Sequence, residues 1–208
     1  MFADRKDAGL KLAAALQKFK GENALVLAIP KGGVEVGFYV AQELELPLSV
    51  VVARKLPYPD NPEAGFGAVA EDGSTFIFED AVRWLTQDDI GKIKRQQIAE
   101  AGRRVEVFRA GRPLPPLNGK TVILVDDGIA MGSTMRVSIK LCRHKQAARV
   151  IVAAPVSGRE MVREISRLAD EAVILETPPF FQAVAQVYGR WYDVSDEEAA
   201  IFLKKAGL

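Results

Sequence analysis

The chain predicts an α/β fold, a central parallel sheet flanked by helices, and three observations lead there. Apolar runs of strand length alternate with amphipathic segments of helix length in both halves. The first such group, residues 24–53, reads strand–helix–strand, a βαβ unit that requires parallel pairing. Three segments with charge or glycine, 30–33, 54–67 and 126–134, follow predicted strands. Open parallel sheets bind ligands beyond those strand ends, where strand order reverses.

In chain order, residues 4–20 predict an amphipathic helix, with Leu12, Leu16 and Phe19 at helical spacing and Gly21 as its stop. Residues 24–29 form an apolar strand, and Pro30-Lys-Gly-Gly33 the turn after it. Residues 34–45 read as a helix burying Phe38, Ala41 and Leu44, and 48–53 as the second strand. Residues 54–67 hold Pro57, Pro59, Pro62, Gly65 and Gly67, a density that predicts an irregular loop. Asp72-Gly73 between short apolar runs predicts a hairpin. Residues 88–108 read as a long charged helix with apolar Ile90, Ile93, Ile98, Val105 and Phe108. Its basic residues, Lys92, Lys94, Arg95, Arg103, Arg104 and Arg109, together with Arg112, read as a solvated face because acids accompany them. The α/β rhythm then resumes: strand 121–125, helix 133–143, strand 149–154, helix 158–169 and strand 172–175. A final helix starts near Ser195, with Glu198 completing a capping box.

At 208 residues, 49% of them hydrophobic and 26% charged, the chain is long and apolar enough for one packed domain. The net charge of +1 gives no pull toward nucleic acid or a membrane surface, and neither is expected as a partner. No apolar run approaches the ~20 residues of a spanning helix. Asp4, Arg5, Lys6 and Asp7 stand where a signal peptide would need an apolar stretch. Cys142 is the only cysteine, which excludes an internal disulfide and points to the reducing cytoplasm. With His144 also alone, a zinc cluster is not expected.

The chemistry concentrates in Val122-Ile-Leu-Val-Asp-Asp-Gly-Ile-Ala-Met-Gly-Ser-Thr134. An apolar strand delivers Asp126 and Asp127 to its end, where two like charges are costly without a partner. Gly128, Ala130, Gly132, Ser133 and Thr134 follow, and small residues let backbone N–H groups approach an anion at the start of the next helix. Carboxylates beside an anion cradle suit a ligand that carries hydroxyls, or a metal, next to a phosphate. Pro30-Lys-Gly-Gly33 is not a Walker loop, because its lysine precedes the glycines.

This strand–acid–acid–loop run resembles the phosphoribosyl pyrophosphate (PRPP) signature of the type I phosphoribosyltransferases. Ile29-Pro-Lys-Gly-Gly33 is similar to that family's pyrophosphate loop, and Arg54-Lys55 to its basic pair. Residues 56–78 stand where the family carries a flexible loop and hairpin. The chain further resembles a branch with an Asp-Arg-x-x-Ala-Gly start (Asp4, Arg5, Ala8, Gly9) and Asn-Pro-Glu in the flexible loop (Asn61, Pro62, Glu63).

The resemblance implies the type I phosphoribosyltransferase fold as one domain. Its core would be 22–56 and 119–176, its flexible loop and hairpin 56–78, its helical insertion 79–112, and its hood 1–20 with 176–208. It implies transfer of a phosphoribosyl group from PRPP to a small nitrogenous base or amine, with Mg²⁺, release of pyrophosphate, and a dimer as relatives commonly form. Asp126 and Asp127 would hold the ribose hydroxyls and, through these and water, the metal. Gly128, Ile129, Ala130, Met131, Gly132, Ser133 and Thr134 would wrap the 5′-phosphate, while Lys31, Gly32 and Gly33 face pyrophosphate. Arg54 and Lys55 would neutralise the leaving group, and Asn61, Glu63, Gly65 and Gly67 belong to the closing loop. Phe180, Phe181, Tyr188, Trp191 and Tyr192 are candidates to stack on the base. Ala130 stands where the 6-oxopurine branch has an aspartate, which argues against a hypoxanthine or guanine acceptor handled by that group. Met131 replaces a small Thr or Ala, at a cost of about 1–3 kcal/mol if a donor is lost. Lys31 replaces an arginine found in many relatives and gives a point charge without a fork. A PRPP- or nucleotide-binding regulator is the rival from another class. Phosphotransfer through Asp126 or Asp127, as in receiver domains, sits poorly with the glycine- and serine-bearing loop.

Overall fold

The computed structural model describes residues 1–208. Its main sheet holds β1 (Ala24–Ala28), β2 (Leu48–Val50), β6 (Thr121–Val125), β7 (Arg149–Val156) and β8 (Glu171–Glu176), in the order β2-β1-β6-β7-β8. Every pairing is parallel, and the register runs Ala28 against Val50 on one side and Val125 on the other. The predicted central parallel sheet is present. Its strands are near-continuous apolar runs because both faces are covered. Val26, Ala28, Ile123 and Val125 face α1 (Arg5–Ala15), α2 (Gly32–Leu44) and α6 (Asp196–Lys205). Leu25, Leu27, Val122 and Leu124 face α4 (Ser133–His144) and α5 (Arg159–Leu168). The two sets alternate along each strand, as a period of two dictates.

A second, antiparallel sheet of β3 (Ala53–Pro57), β4 (Gly65–Ala70) and β5 (Thr75–Ile77) packs under α3 (Gln87–Arg109), with Leu56, Phe66, Ile90 and Ile93 between them. Two expectations are corrected here. The strand predicted over 48–53 leaves the main sheet after Val50, and the chain enters the second sheet at Ala53. The irregular loop predicted over 54–67 is irregular only over residues 58–64; its two ends, 54–57 and 65–67, are strand. Pro57 sits where the β3–β4 register shifts, and Pro59 and Pro62 lie in the turn, so the prolines cost the ladder little. Asn61 closes that turn, its Oδ1 accepting the N–H groups of Glu63 and Ala64. The Asp72-Gly73 hairpin forms as expected between β4 and β5.

Arg109 corrects the reading of α3 as a uniformly solvated face. It is buried, pairs with Glu71, and donates to Val50 O at 3.5 Å, which pins the end of α3 to the sheet edge. The first helix stops at Ala15 and continues as a 3-10 turn over Gln17–Phe19, with Leu12, Leu16 and Phe19 all buried. Phe38 is half-buried, whereas Ala41 and Leu44 are buried as predicted. The Ser195–Glu198 capping box forms. The N-terminal segment and the tail are laced together: Phe2 N–H donates to Val187 O, and Gly189 and Arg190 donate to Phe2 and Ala3 carbonyls. No helix is long and apolar enough to cross a membrane.

Candidate functional site

Chain direction reverses between β1 and β6: from β1 the chain passes outward to β2, and it later returns on the far side of β1 as β6. Open parallel sheets leave a crevice at such a switch point. The turns after both strands face it, and they touch. A methyl group on Gly32 would come within 1.8 Å of Asp127 Oδ2, and one on Gly33 within 2.9 Å of Asp126 Cα. Only glycine fits at either position.

A cavity of about 340 Å³ opens at the end of β6. Asp126, Gly128, Ile129, Ala130, Met131, Gly132, Ser133, Thr134 and Met135 line it from the strand end and loop, and Lys55 and Gly65 from the hairpin. Gly132 adopts φ +69° and turns the chain into α4, which has no side-chain cap. None of the backbone N–H groups from Ala130 to Met135 donates to a protein acceptor, and neither do the hydroxyls of Ser133 and Thr134. A helix start bare of acceptors presents the positive end of its dipole to whatever enters. Lys31, Gly32 and Gly33 leave their N–H groups free in the same way at the start of α2. The Pro30–Lys31 peptide between them and β1 is cis.

Loop 126–132 is held in place by β7. Ile129 N–H donates to Val156 O at 2.9 Å, and the buried Ser157 hydroxyl donates to Ile129 O at 2.9 Å. Met131 does not fill the bend: it lines the cavity while remaining 62% exposed.

The two aspartates part company, as adjacent residues do. Asp126 lines the cavity, and its Oδ1 accepts the N–H of Asp127 at 2.9 Å. Burial, then the neighbouring Asp127 charge, holds its carboxyl well above the ordinary range. Asp127 stands outside that cavity's lining, between the Gly32 turn and α1, where Arg5 Nε donates to its Oδ2 at 2.9 Å. Burial raises this carboxyl and Arg5 opposes the rise. Arg5 itself is buried, donates to Tyr192 O at 3.0 Å, and stacks 4.1 Å from the Trp191 ring centroid. The Tyr188 hydroxyl donates to Asp127 O at 2.7 Å. Glu35, raised chiefly by burial, accepts from the Tyr192 hydroxyl at 3.3 Å.

Of the predicted basic pair, only Lys55 reaches the cavity, with its ammonium on Glu63 O at 2.6 Å. Arg54 is turned onto α3, donating to Gln97 Oε1 at 3.2 Å, because successive strand residues face opposite ways. The structure does not bring it to the site. Gly65 is at the cavity, whereas Gly67 serves β-pairing: a methyl there would meet Phe76 O at 2.1 Å. Trp191 and Tyr192 are engaged by Arg5, and Phe180 is 82% exposed. The neighbouring Phe181, not Phe180, faces a second cavity of about 520 Å³, which shares Ala130 with the first and is also lined by Gly158, Arg159 and Arg163. No group of three or more acidic, histidine or cysteine side chains is arranged as a metal cage. The lone Asp126 in the cavity fits a hard cation that keeps its waters and takes oxygens from a ligand.

Sequence reasoning assigned no role to Arg5 or Ser157. Arg5 had a readable signal, since it shares the buried stripe of α1 with Ala8 and Leu12 at helical spacing. Ser157 had none, because its role depends on tertiary placement.

Residues 6–188 match the family model described as phosphoribosyl transferase domain. A Mycobacterium tuberculosis protein described as "Putative phosphoribosyl transferase", curated from strains CDC 1551 and H37Rv, is 41% identical over 99% of this chain. The chain spans about half of those relatives, 47% of their length. The crystal structure of TT1426 from Thermus thermophilus is 36% identical, superposes with a TM-score of 0.82, and is matched over 98% of both chains. AQ2163 from Aquifex aeolicus, 13% identical with a TM-score of 0.50 over 82% of this chain and 73% of its own, shares the fold.

Proposed function

From the premise that this chain belongs to the phosphoribosyl transferase domain family, we propose that it transfers a phosphoribosyl group from PRPP to a nitrogenous base or amine, releasing pyrophosphate, with Mg²⁺. One observation carries the reading: a helix start with unclaimed N–H groups from Ala130 to Met135 opens onto a cavity that Asp126 also lines. That juxtaposition suits a 5-phosphate next to a ribose diol.

In this reading the loop amides and the hydroxyls of Ser133 and Thr134 hold the 5-phosphate. Asp126 accepts hydrogen bonds from the ribose hydroxyls, a charge-assisted contact stronger than a neutral one. Asp127 supports the same diol through its second oxygen. Cleavage of the C1–oxygen bond develops negative charge on pyrophosphate and positive charge on the sugar. Lys55, Lys31 and the amides of residues 31–33 stabilise the departing anion. Mg²⁺, when bound, supplies further neutralisation of the diphosphate, and Asp126 is the carboxylate placed to hold it through water. Turn 58–64, with Asn61 and Glu63, closes over the site and limits water capture of the sugar cation. The acceptor enters from the second cavity, past Ala130 and Phe181, where Arg159 and Arg163 stand beside Glu160 and Glu164 and offer both signs of charge to a heterocycle's donors and acceptors.

The rival reading, a PRPP- or nucleotide-binding regulator, is favoured by one observation: Arg54 is committed to α3, leaving Lys55 as the cavity's cationic side chain. Incubation with Mg²⁺, PRPP and a panel of heterocyclic bases and amines separates the two. Acceptor-dependent pyrophosphate release supports the transferase. Tight PRPP binding without release supports the regulator, and no PRPP binding sinks both.

A further inference from the structure

The Asp-Arg-x-x-Ala-Gly start, which the reaction above leaves without a task, converges on the aspartate pair. Asp4 caps α1, its Oδ1 accepting Asp7 N–H at 2.9 Å. Ala8 is fully buried, and Gly9 lets α1 lie on α2: a methyl there would meet Tyr39 Cβ at 2.9 Å and Val36 O at 3.0 Å. This close packing brings Arg5 to Asp127. Arg5 is then fixed on every side, by the 2.9 Å bond to Asp127 Oδ2, by the 3.0 Å bond to Tyr192 O, and by the rings of Trp191 at 4.1 Å and Tyr192 at 5.2 Å. Tyr188 holds the Asp127 backbone from the same tail. The N-terminal helix and the C-terminal tail thus meet on one carboxylate at the end of β6.

We propose that Arg5 is a positioning residue for ribose recognition: clamped by Trp191 and Tyr192, it fixes the Asp127 carboxylate so that the oxygen it leaves free is presented to the ribose diol. The proposal rests on the ribose 5-phosphate reading above. A second role follows from the same geometry. Any shift of the tail at Trp191 reaches Asp127 through the Arg5 guanidinium and through the Tyr188 hydroxyl, so sugar recognition depends on how the tail is docked.

The test compares two probes by calorimetry, ribose 5-phosphate and inorganic phosphate. Both use the amide loop, but only the first carries the diol. Arg5→Gln is expected to weaken ribose 5-phosphate about tenfold relative to phosphate, roughly 1.4 kcal/mol of lost preference. Arg5→Lys keeps the charge but lacks a planar fork, and it is expected to recover only part of the preference. A general loss of fold would weaken both probes alike and leave their ratio unmoved. Should Arg5→Gln fail to fold, Trp191→Ala decides, because Trp191 is 37% exposed and its loss loosens Arg5 while leaving Arg5 in place, with Tyr188→Phe as the control for the ring Trp191 also packs on. The expected result there is a smaller loss of the same preference. A wild type that prefers ribose 5-phosphate, with a preference that the decisive variant keeps in full, overturns the positioning role alone. A wild type without the preference overturns the ribose reading, and this proposal with it.

Discussion

Breaking the Arg5–Asp127 pair is the perturbation with the clearest energetic consequence. The partners' side chains are 3% and 14% exposed, so water screens the pair little. Removing one partner leaves the other charge buried without its counter-ion, which typically costs about 3–5 kcal/mol. The lower end applies here, because Arg5 keeps its bond to Tyr192 O and its place over Trp191 when Asp127 is changed. For a chain of this length each kcal/mol moves the melting temperature by roughly 2–4 °C, so Asp127→Asn should lower it by about 6–12 °C. Arg5→Gln should fall in the same range. The double variant Arg5→Gln/Asp127→Asn replaces the ion pair by a neutral hydrogen-bonded one. It should therefore be more stable than the two single losses sum to, by about 1–3 kcal/mol. Thermal unfolding followed by calorimetry on the four proteins measures the cycle. Single losses below about 1 kcal/mol, the worth of an exposed surface pair, would refute the reasoning, and so would strict additivity.

Three further outcomes follow. Ser133→Ala and Thr134→Val should each weaken PRPP binding by about 1.5 kcal/mol, since a hydroxyl donating to an anion is worth more than a neutral contact. The melting temperature should stay put, because neither hydroxyl donates to the protein; undiminished affinity in both variants would move the phosphate elsewhere. Asp126 has a folded-state pKa raised above its ordinary 3.8 by burial and by Asp127. The folded protein therefore binds a proton that the unfolded chain releases, so this contribution to stability is full below that value and fades as pH rises through the raised one. Asp126→Asn should flatten this decline in unliganded protein while weakening ribose binding, and an unchanged pH–stability slope would contradict the account. Burial pushes the Cys142 thiol up to about 12, so iodoacetamide should leave native protein unlabelled at neutral pH and label it only after unfolding.

The sheet was legible because its strands are covered on both faces, and continuous apolar runs such as Val122–Val125 have few other readings. Asp126-Asp127 and the small residues after them were legible as a candidate site for the same reason that they are costly as structure. Residues 54–67 misled because proline and glycine density outweighed the pairing of Leu56 with Gly67, and because the buried partners of Leu56 and Phe66 lie on α3, far along the chain. The opposite fates of Arg54 and Lys55 needed only the knowledge that they stand on a strand. Asp127's engagement by Arg5 was hidden by distance, since the two are 122 positions apart and only the packing of α1 on α2 brings them together.

The central claim is that the loop at the end of β6 holds the 5-phosphate of PRPP while Asp126 meets its ribose. Titrating ¹⁵N-labelled protein with PRPP and Mg²⁺, and following each backbone amide, tests this most directly. The account predicts that the amides from Ala130 to Met135 shift together and saturably, and that Asp126→Asn weakens the response at those same positions. Saturable shifts confined to other surfaces, or a loop that stays silent at saturating PRPP, would contradict it.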